Sequence, residues 1–295
     1  MAIRPGAGRR RPQVLVRGRL IKTCVCQSFI PFLAVIAHMD PIRALPFGQT
    51  CSRVAQNYAL ITPDTHVNSA LVGWRNASVV VHIAPELGAR FTQYTATLAA
   101  DALCGTPGEG IERFVYVLEG AVTLLIAGKT HELTVGHFAF IPANTLHELT
   151  TLKTSKSPAT RLEVFEKRYQ PGGAAAPPVI IGDQQQAPGD PFMGDPALRL
   201  QTLLPIEPAF DMAVNIFTYD PGGHLPQVEI HVMEHGLLML DGTGVYRLGE
   251  EWFPVQAGDI IWMASYCPQW FVSMGKSPAR YLYFKDIHRD RLSEK

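Results

Sequence analysis

The stretch Gly223-His-Leu-Pro-Gln-Val-Glu229-Ile-His231-Val-Met-Glu-His235, closing at Gly242, decides how the rest of this chain is read. Glu229, His231 and His235 stand at odd positions. On a β-strand, where side chains alternate between faces, all three project to one side and Val228, Ile230 and Val232 to the other. A carboxylate and two imidazoles converging on one face make three-quarters of a first-row transition-metal site. A polar strand facing solvent has the same spacing. The Pro221-Gly222-Gly223 entry and the glycine turn at the exit weigh toward a built site.

Outward from this block, strands dominate. Ala77–Ile83, Gln93–Leu98, Phe114–Leu118, Val122–Ile126 and His137–Ile141 are short and β-rich, with Gly, Pro or Asn between them. After a Pro/Gly/Ala/Gln-rich stretch, Gln170–Pro191, the pattern resumes. It runs through Met212–Tyr219, Glu229–His235, Leu237–Leu240, Val245–Leu248, Asp259–Met263 and Arg280–Phe284. Helical periodicity is weak throughout, so the chain is all-β with a linker near its middle. The halves superpose at one offset: Gly120 on Gly242, Gly136 on Gly258, His147 on Gln269. Three anchors at a constant spacing predict two copies of one small β-barrel.

Gly223, Glu229, His231, His235 and Gly242 resemble the first cupin motif, with Glu229 at the usual first histidine position and His235 at the usual glutamate. Gly258 opens the second motif, where Gln269 replaces a histidine. In the first half, Gly136, Pro142 and His147 keep that second motif more faithfully. The resemblance implies a bicupin, two tandem jelly-roll-like β-barrels. The expected division is an extension over 1–38, a degenerate first barrel over 39–175, a linker over 176–190 and a metal-binding barrel over 191–295.

The repeat also says which barrel works. Pro107, Glu109 and Arg113 fall at the counterparts of Glu229, His231 and His235, and neither proline nor arginine ligates a cation. The first barrel reads as a scaffold, with Glu109 and Arg113 expected as an ion pair in a vacated pocket. The second barrel offers Glu229, His231, His235 and Gln269. Two nitrogens and two oxygens without sulfur suit Mn²⁺ or Fe²⁺ better than a structural zinc, and leave two octahedral positions open. Cys267 reads as a small buried apolar residue. On the last strand Tyr281, Tyr283 and Lys285 share a face. A lysine aimed into an apolar barrel is costly unless an anion meets it, although a lysine at a strand end facing water has the same sequence. Tyr246 can reach the same cavity.

This ligand run, the fourth-position Gln269 and the final strand resemble the (S)-ureidoglycine aminohydrolase family. So do Tyr58–Asp64, Gly108–Glu112, Phe210–Met212 and Gly244–Arg247. The resemblance, over roughly residues 57–290, implies a Mn²⁺-dependent hydrolase of C–N bonds in the ureide branch of purine breakdown. It implies Glu229, Gln269 and Lys285 as catalytic residues, and Tyr281 and Tyr246 with these three as substrate contacts. A metal-dependent dioxygenase or isomerase and a non-catalytic binding bicupin remain alternatives, separable by oxygen uptake and by metal content.

Lys plus Arg and Asp plus Glu each count 26 in 295 residues, which argues against nucleic acid as a partner. Five cysteines without ribbon spacing suit a reduced, cytoplasmic protein. Residues 1–38 hold six arginines, one lysine and no acid, then an apolar run, Phe29–Ala37, too short to cross a bilayer. They are expected to lie outside the fold, with a targeting role open. A small anionic ureide is the expected partner, with no membrane. A homo-oligomer is expected because open sheet edges invite pairing.

Overall fold

The computed structural model describes residues 49–151, 159–172 and 175–287, and the expectations for residues 1–38 lie outside that range. Among the described residues, twenty strands carry the fold. Those of the first half are Arg53–Val54 (β1), Tyr58–Ile61 (β2), Trp74–Ile83 (β3), Phe91–Cys104 (β4), Ile111–Glu119 (β5), Ala121–Ile126 (β6), Lys129–Thr134 (β7), His137–Ile141 (β8), His147–Thr150 (β9) and Thr160–Arg168 (β10). The second half supplies Ile180–Asp183 (β11), Gly189–Phe192 (β12), Asp195–Thr202 (β13), Met212–Tyr219 (β14), His235–Asp241 (β15), Thr243–Leu248 (β16), Glu251–Gln256 (β17), Ile260–Met263 (β18), Gln269–Met274 (β19) and Ala279–Asp286 (β20). Helix among the described residues is limited to short 3-10 turns.

The repeat is visible in the strands themselves. β6 and β16, and likewise β7 and β17, sit 122 residues apart end for end. The anchor glycines Gly120 and Gly242 open the matching hairpins with φ of 73° and 75°, a region that L side chains avoid. A Cβ would also strike Thr160 Oγ1 at 2.6 Å from Gly120, or Pro278 O at 2.6 Å from Gly242.

The halves trade edge strands. β2 pairs antiparallel with β18 of the second half, Tyr58 opposite Met263 and Ile61 opposite Ile260. Its repeat-mate β11 pairs with β8 of the first half, Ile180 opposite Phe140 and Asp183 opposite His137. The middle stretch therefore contains a strand rather than only a connection. Each half closes an edge that the other would leave open to aggregation. One sheet runs β1-β2-β18-β15-β20-β14-β13-β12 and another β11-β8-β5-β10-β4-β9-β6-β7, with β3 on β4. A small sheet, β17-β16-β19, faces the first of these.

Three apolar clusters fill these layers. One lies inside the first barrel around Val115, Val117, Leu124 and Leu162, and one inside the second around Tyr219, Leu237, Met239 and Phe271. The third joins the halves: Phe91, Phe114 and Phe165 meet Phe210, Trp262 and Phe284 there. Phe284 lies 4.2 Å from Phe91 and 5.7 Å from Phe165, ring centre to ring centre. Each buried ring contributes roughly 1.5–3 kcal/mol, so this seam is part of the core. At its edge Lys167 is buried, donating to Asp211 Oδ2 at 2.8 Å and to Asp286 Oδ1 at 2.9 Å. Burial and the neighbouring Asp211 push the Glu112 carboxyl up to about 10. The stretches Gly108–Glu112 and Phe210–Met212 thus meet across this seam, away from the metal-type residues.

Candidate active site

The strand expected over Glu229–His235 does not form. Strand geometry begins only at His235, and the preceding residues cross the barrel mouth as an irregular segment. Pro226 removes one ladder donor. Two isolated bridges pin the segment, His224 with Val272 and Glu229 with Gln269; in the second, Glu229 N donates to Gln269 O at 2.9 Å and Gln269 N to Glu229 O at 3.0 Å. Val228 and Ile230, expected on the face opposite the three ligands, are 37% and 60% exposed. Tyr266 N, donating to His231 O at 2.7 Å, holds its far end.

The predicted residues nevertheless come together. Glu229, His231, His235, Tyr246, Gln269, Tyr281 and Lys285 all line one cavity of about 250 Å³ in the second barrel. His231 and His235 approach with Nε2 atoms 3.2 Å apart, and Gln269 Nε2 lies 3.1 Å from His231 Nε2. Each imidazole is fixed from behind: His231 Nδ1 sits 3.0 Å from Met233 O, and His235 Nδ1 sits 3.2 Å from Phe284 O. A carbonyl only accepts, so both Nδ1 atoms carry the proton and the Nε2 lone pairs point at each other. Burial, with His231 and Lys285 beside it, holds the His235 pKa well below the usual imidazole value, so this ring is neutral.

Backbone carbonyls fixing the tautomer while bare Nε2 atoms converge is how metal-bound histidines are oriented. Ligands about 2.1 Å from an octahedral ion stand about 3 Å apart when adjacent. The 3.2 and 3.1 Å separations match that edge, with the Gln269 carboxamide turned to present its oxygen. Glu229 Oε2 lies 3.9 Å from His231 Nε2, farther than that edge. Among the described residues, no group of three or more His, Cys, Asp or Glu side chains is already gathered tightly enough to hold an ion. The donor types and tautomers fit a divalent cation; the carboxylate is not yet in place.

Lys285 pairs across the sheet with His235 on one side and Ala213 on the other. Burial lowers its pKa, while Glu229 acts in the opposite direction. Among the described residues no carboxylate reaches ion-pair distance of its ammonium. Tyr281 shares a 2.6 Å contact between hydroxyls with Tyr219, and burial pushes the phenols of Tyr219, Tyr246 and Tyr281 well above their ordinary range. Cys267 is buried, its thiol donating to Pro268 O at 3.6 Å.

Two polar cavity residues escaped the sequence reading. Asn215 and Thr202 face each other in register on β14 and β13, and both line the cavity. The available signal was a lone asparagine inside the apolar run Met212–Tyr219.

The equivalent position of the first barrel is occupied by protein. Arg113 does not pair with Glu109, which is exposed and lies in the loop before β5. Strand register puts Arg113 opposite Glu166, and its Nε donates to Glu166 Oε1 at 2.6 Å. One terminal nitrogen donates to Gly105 O at 2.8 Å and lies 2.9 Å from His147 Nε2. Burial lowers the His147 pKa to about 4, so its Nε2 accepts from Arg113. Trp74 covers the guanidinium at 5.5 Å. A fixed internal cation thus fills the pocket where the second barrel converges its imidazoles.

Comparison with known proteins agrees with this geometry. The cupin domain family matches residues 107–165 and 215–285. The chain is 39% identical over 251 residues to the (S)-ureidoglycine aminohydrolase of Arabidopsis thaliana, covering 83% of this chain and 80% of that one. It is 35% identical over 237 residues to the (S)-ureidoglycine aminohydrolase of Escherichia coli strain K12, covering 79% of this chain and 90% of that one. The crystal structure of the E. coli protein Ylba superposes with a TM-score of 0.72 at 33% identity, covering 81% of this chain and 95% of the other. The chain belongs to the (S)-ureidoglycine aminohydrolase family of cupin proteins.

Proposed function

We propose that this protein hydrolyses (S)-ureidoglycine to (S)-ureidoglycolate and ammonia, using a divalent cation, Mn²⁺ in the first instance, held by Glu229, His231, His235 and Gln269. The observation that carries the reading is one cavity containing two converging imidazole lone pairs and a half-buried ammonium that no carboxylate of the described residues pairs with. Two relatives at 35% and 39% identity carry that activity in their names. A bound divalent ion supplies Lewis acidity and a template for the reacting carbon and the incoming oxygen.

The protein's own residues divide the remaining work. Lys285 holds the substrate carboxylate as a point charge, which satisfies an ammonium that the apolar walls leave unpaired. Tyr281, two rows further along the same face, is a hydrogen-bond donor to the substrate from the cavity wall; its phenol stays protonated because burial raises its pKa. Tyr246 walls the opposite side. The overall reaction breaks the bond from carbon to the amino nitrogen and forms one to a water oxygen, and the water's proton leaves on ammonia. Glu229, partly open to solvent at the mouth, is placed to move that proton through Oε2. Glu229 and Gln269, tied by their backbone pair, fix which face of the carbon meets water. Among the described residues Cys51, Cys104 and Cys267 are free thiols, which suits a cytoplasmic setting. Among the described residues no helix is long and apolar enough to cross a membrane. Association of copies through the unpaired outer sides of β7 and β17 belongs to the same proposal.

The test is ammonia release from freshly generated (S)-ureidoglycine, with and without Mn²⁺, with the configuration of the product determined. Release of one ammonia per ureidoglycolate of S configuration supports the reading. Release no faster than spontaneous decay, or a racemic product, overturns it.

A further inference from the structure

The assignments above hold the substrate by its carboxylate and by its reacting carbon, and leave its far end unread. The inner face of the main sheet shows what meets that end. Side chains there form rows across the strands. One row is Ala213, Lys285 and His235. The next is Thr202, Asn215, Tyr283 and Leu237. All of these except the backbone they hang from line the same cavity. Adjacent rows on one face are two residues apart, about 6.6 Å. From a carboxylate carbon to the terminal nitrogen of a ureido acid is about 5 Å, so one small molecule spans both rows.

Asn215 is a carboxamide buried in a largely apolar wall, 6% exposed. It stands opposite Tyr283 on one side and Thr202 on the other, and its side chain lines the cavity. Among the described residues, its carboxamide has no further side-chain partner. A carboxamide set in the wall of a largely apolar cavity selects ligands that pair with it.

We propose that Asn215 is the specificity-determining residue for the carbamoyl group: its Oδ1 accepts from the terminal NH₂ of the ureido substrate while Lys285 holds the carboxylate. The inference rests on the aminohydrolase reading for the identity of the ligand, but not on turnover.

Two unreactive probes separate the effects. N-carbamoylglycine and N-acetylglycine have the same carboxylate and nearly the same shape, and differ by NH₂ against CH₃. Calorimetric binding to the Mn²⁺-supplemented wild-type protein is expected to favour the carbamoyl compound by about 10–100-fold. Asn215→Leu, which keeps the volume and removes the acceptor, is expected to bind both probes within about threefold of each other, with acetylglycine affinity retained. That retained affinity, with an unchanged thermal transition, reports an intact fold. Asn215→Gln offers a second, polar variant expected to keep part of the preference. A wild-type protein that binds both probes equally, or a folded Asn215→Leu that keeps the full preference, overturns this proposal and leaves the hydrolase reading standing. A wild-type protein that binds neither probe overturns both.

Discussion

Replacing Lys285 with Met removes one charge from the cavity and little else, since the thioether fills the aliphatic stem. The magnitude follows from what the ammonium does. Among the described residues no carboxylate reaches ion-pair distance, so in the proposed reading the substrate carboxylate is its partner. A hydrogen bond to a charged group contributes about 1.5–3 kcal/mol net, and about 1.4 kcal/mol is a factor of ten. Lys285→Met is therefore expected to raise KM about 10–100-fold in an ammonia-release assay. Bound metal, measured by elemental analysis, is expected to stay at the wild-type level. The sign is fixed by position: Lys285 stands opposite His235 in the sheet, and removing a positive charge beside a cation site cannot weaken cation binding. A KM within threefold of wild type, or a variant purified without metal, refutes the role assigned to Lys285.

Other substitutions probe the scaffold. Arg113→Met strands the Glu166 carboxylate and is expected to cost about 3–5 kcal/mol of stability in denaturant unfolding, while His147→Ala costs about 1 kcal/mol; both keep wild-type metal content. Gly236→Ala puts a Cβ 2.4 Å from Gln93 Oε1 and 2.6 Å from the Phe91 ring. Overpacking of that kind costs about 1–3 kcal/mol, a melting-temperature drop of roughly 3–10 °C at this chain length. Burial raises the Glu163 carboxyl to about 7, against hydrogen bonds from Gln93 and Thr95 that lower it. A folded pKa above the unfolded one adds stability that is complete below about pH 4.5 and is lost as pH rises through 7, on the order of 3 kcal/mol in all. Glu163→Gln is expected to flatten the fall in melting temperature between pH 5 and 8; an unchanged slope contradicts the assignment.

The sequence carried the fold because the repeat is written in residues whose chemistry is hard to replace. Gly120 and Gly242 take backbone angles that other side chains avoid, and they mark equivalent hairpins without any alignment. What it could not carry was pairing at long range. Nothing local in Tyr58–Ile61 or Ile180–Asp183 says that each completes the other half's sheet. The same holds for Arg113, whose partner Glu166 is chosen by strand register rather than by nearness in sequence. At the site, Glu229, His231 and His235 were legible by spacing, yet the reason given was a strand that does not form. They converge because the Glu229–Gln269 bridge and the Tyr266–His231 hydrogen bond pin an irregular segment over the mouth. Asn215 was invisible because one polar residue in an apolar strand is ordinary until its neighbours across the sheet are known.

The central claim is that four side chains of the second barrel, and none of the first, hold the ion on which ammonia release depends. Metal-stripped protein titrated with Mn²⁺, with bound metal and ammonia release followed together, tests it most directly. The expected result is loss of activity on stripping and full recovery at one equivalent per chain, with neither binding nor recovery in His231→Ala or His235→Ala. Full activity in metal-free protein, or one equivalent bound by those variants, contradicts it.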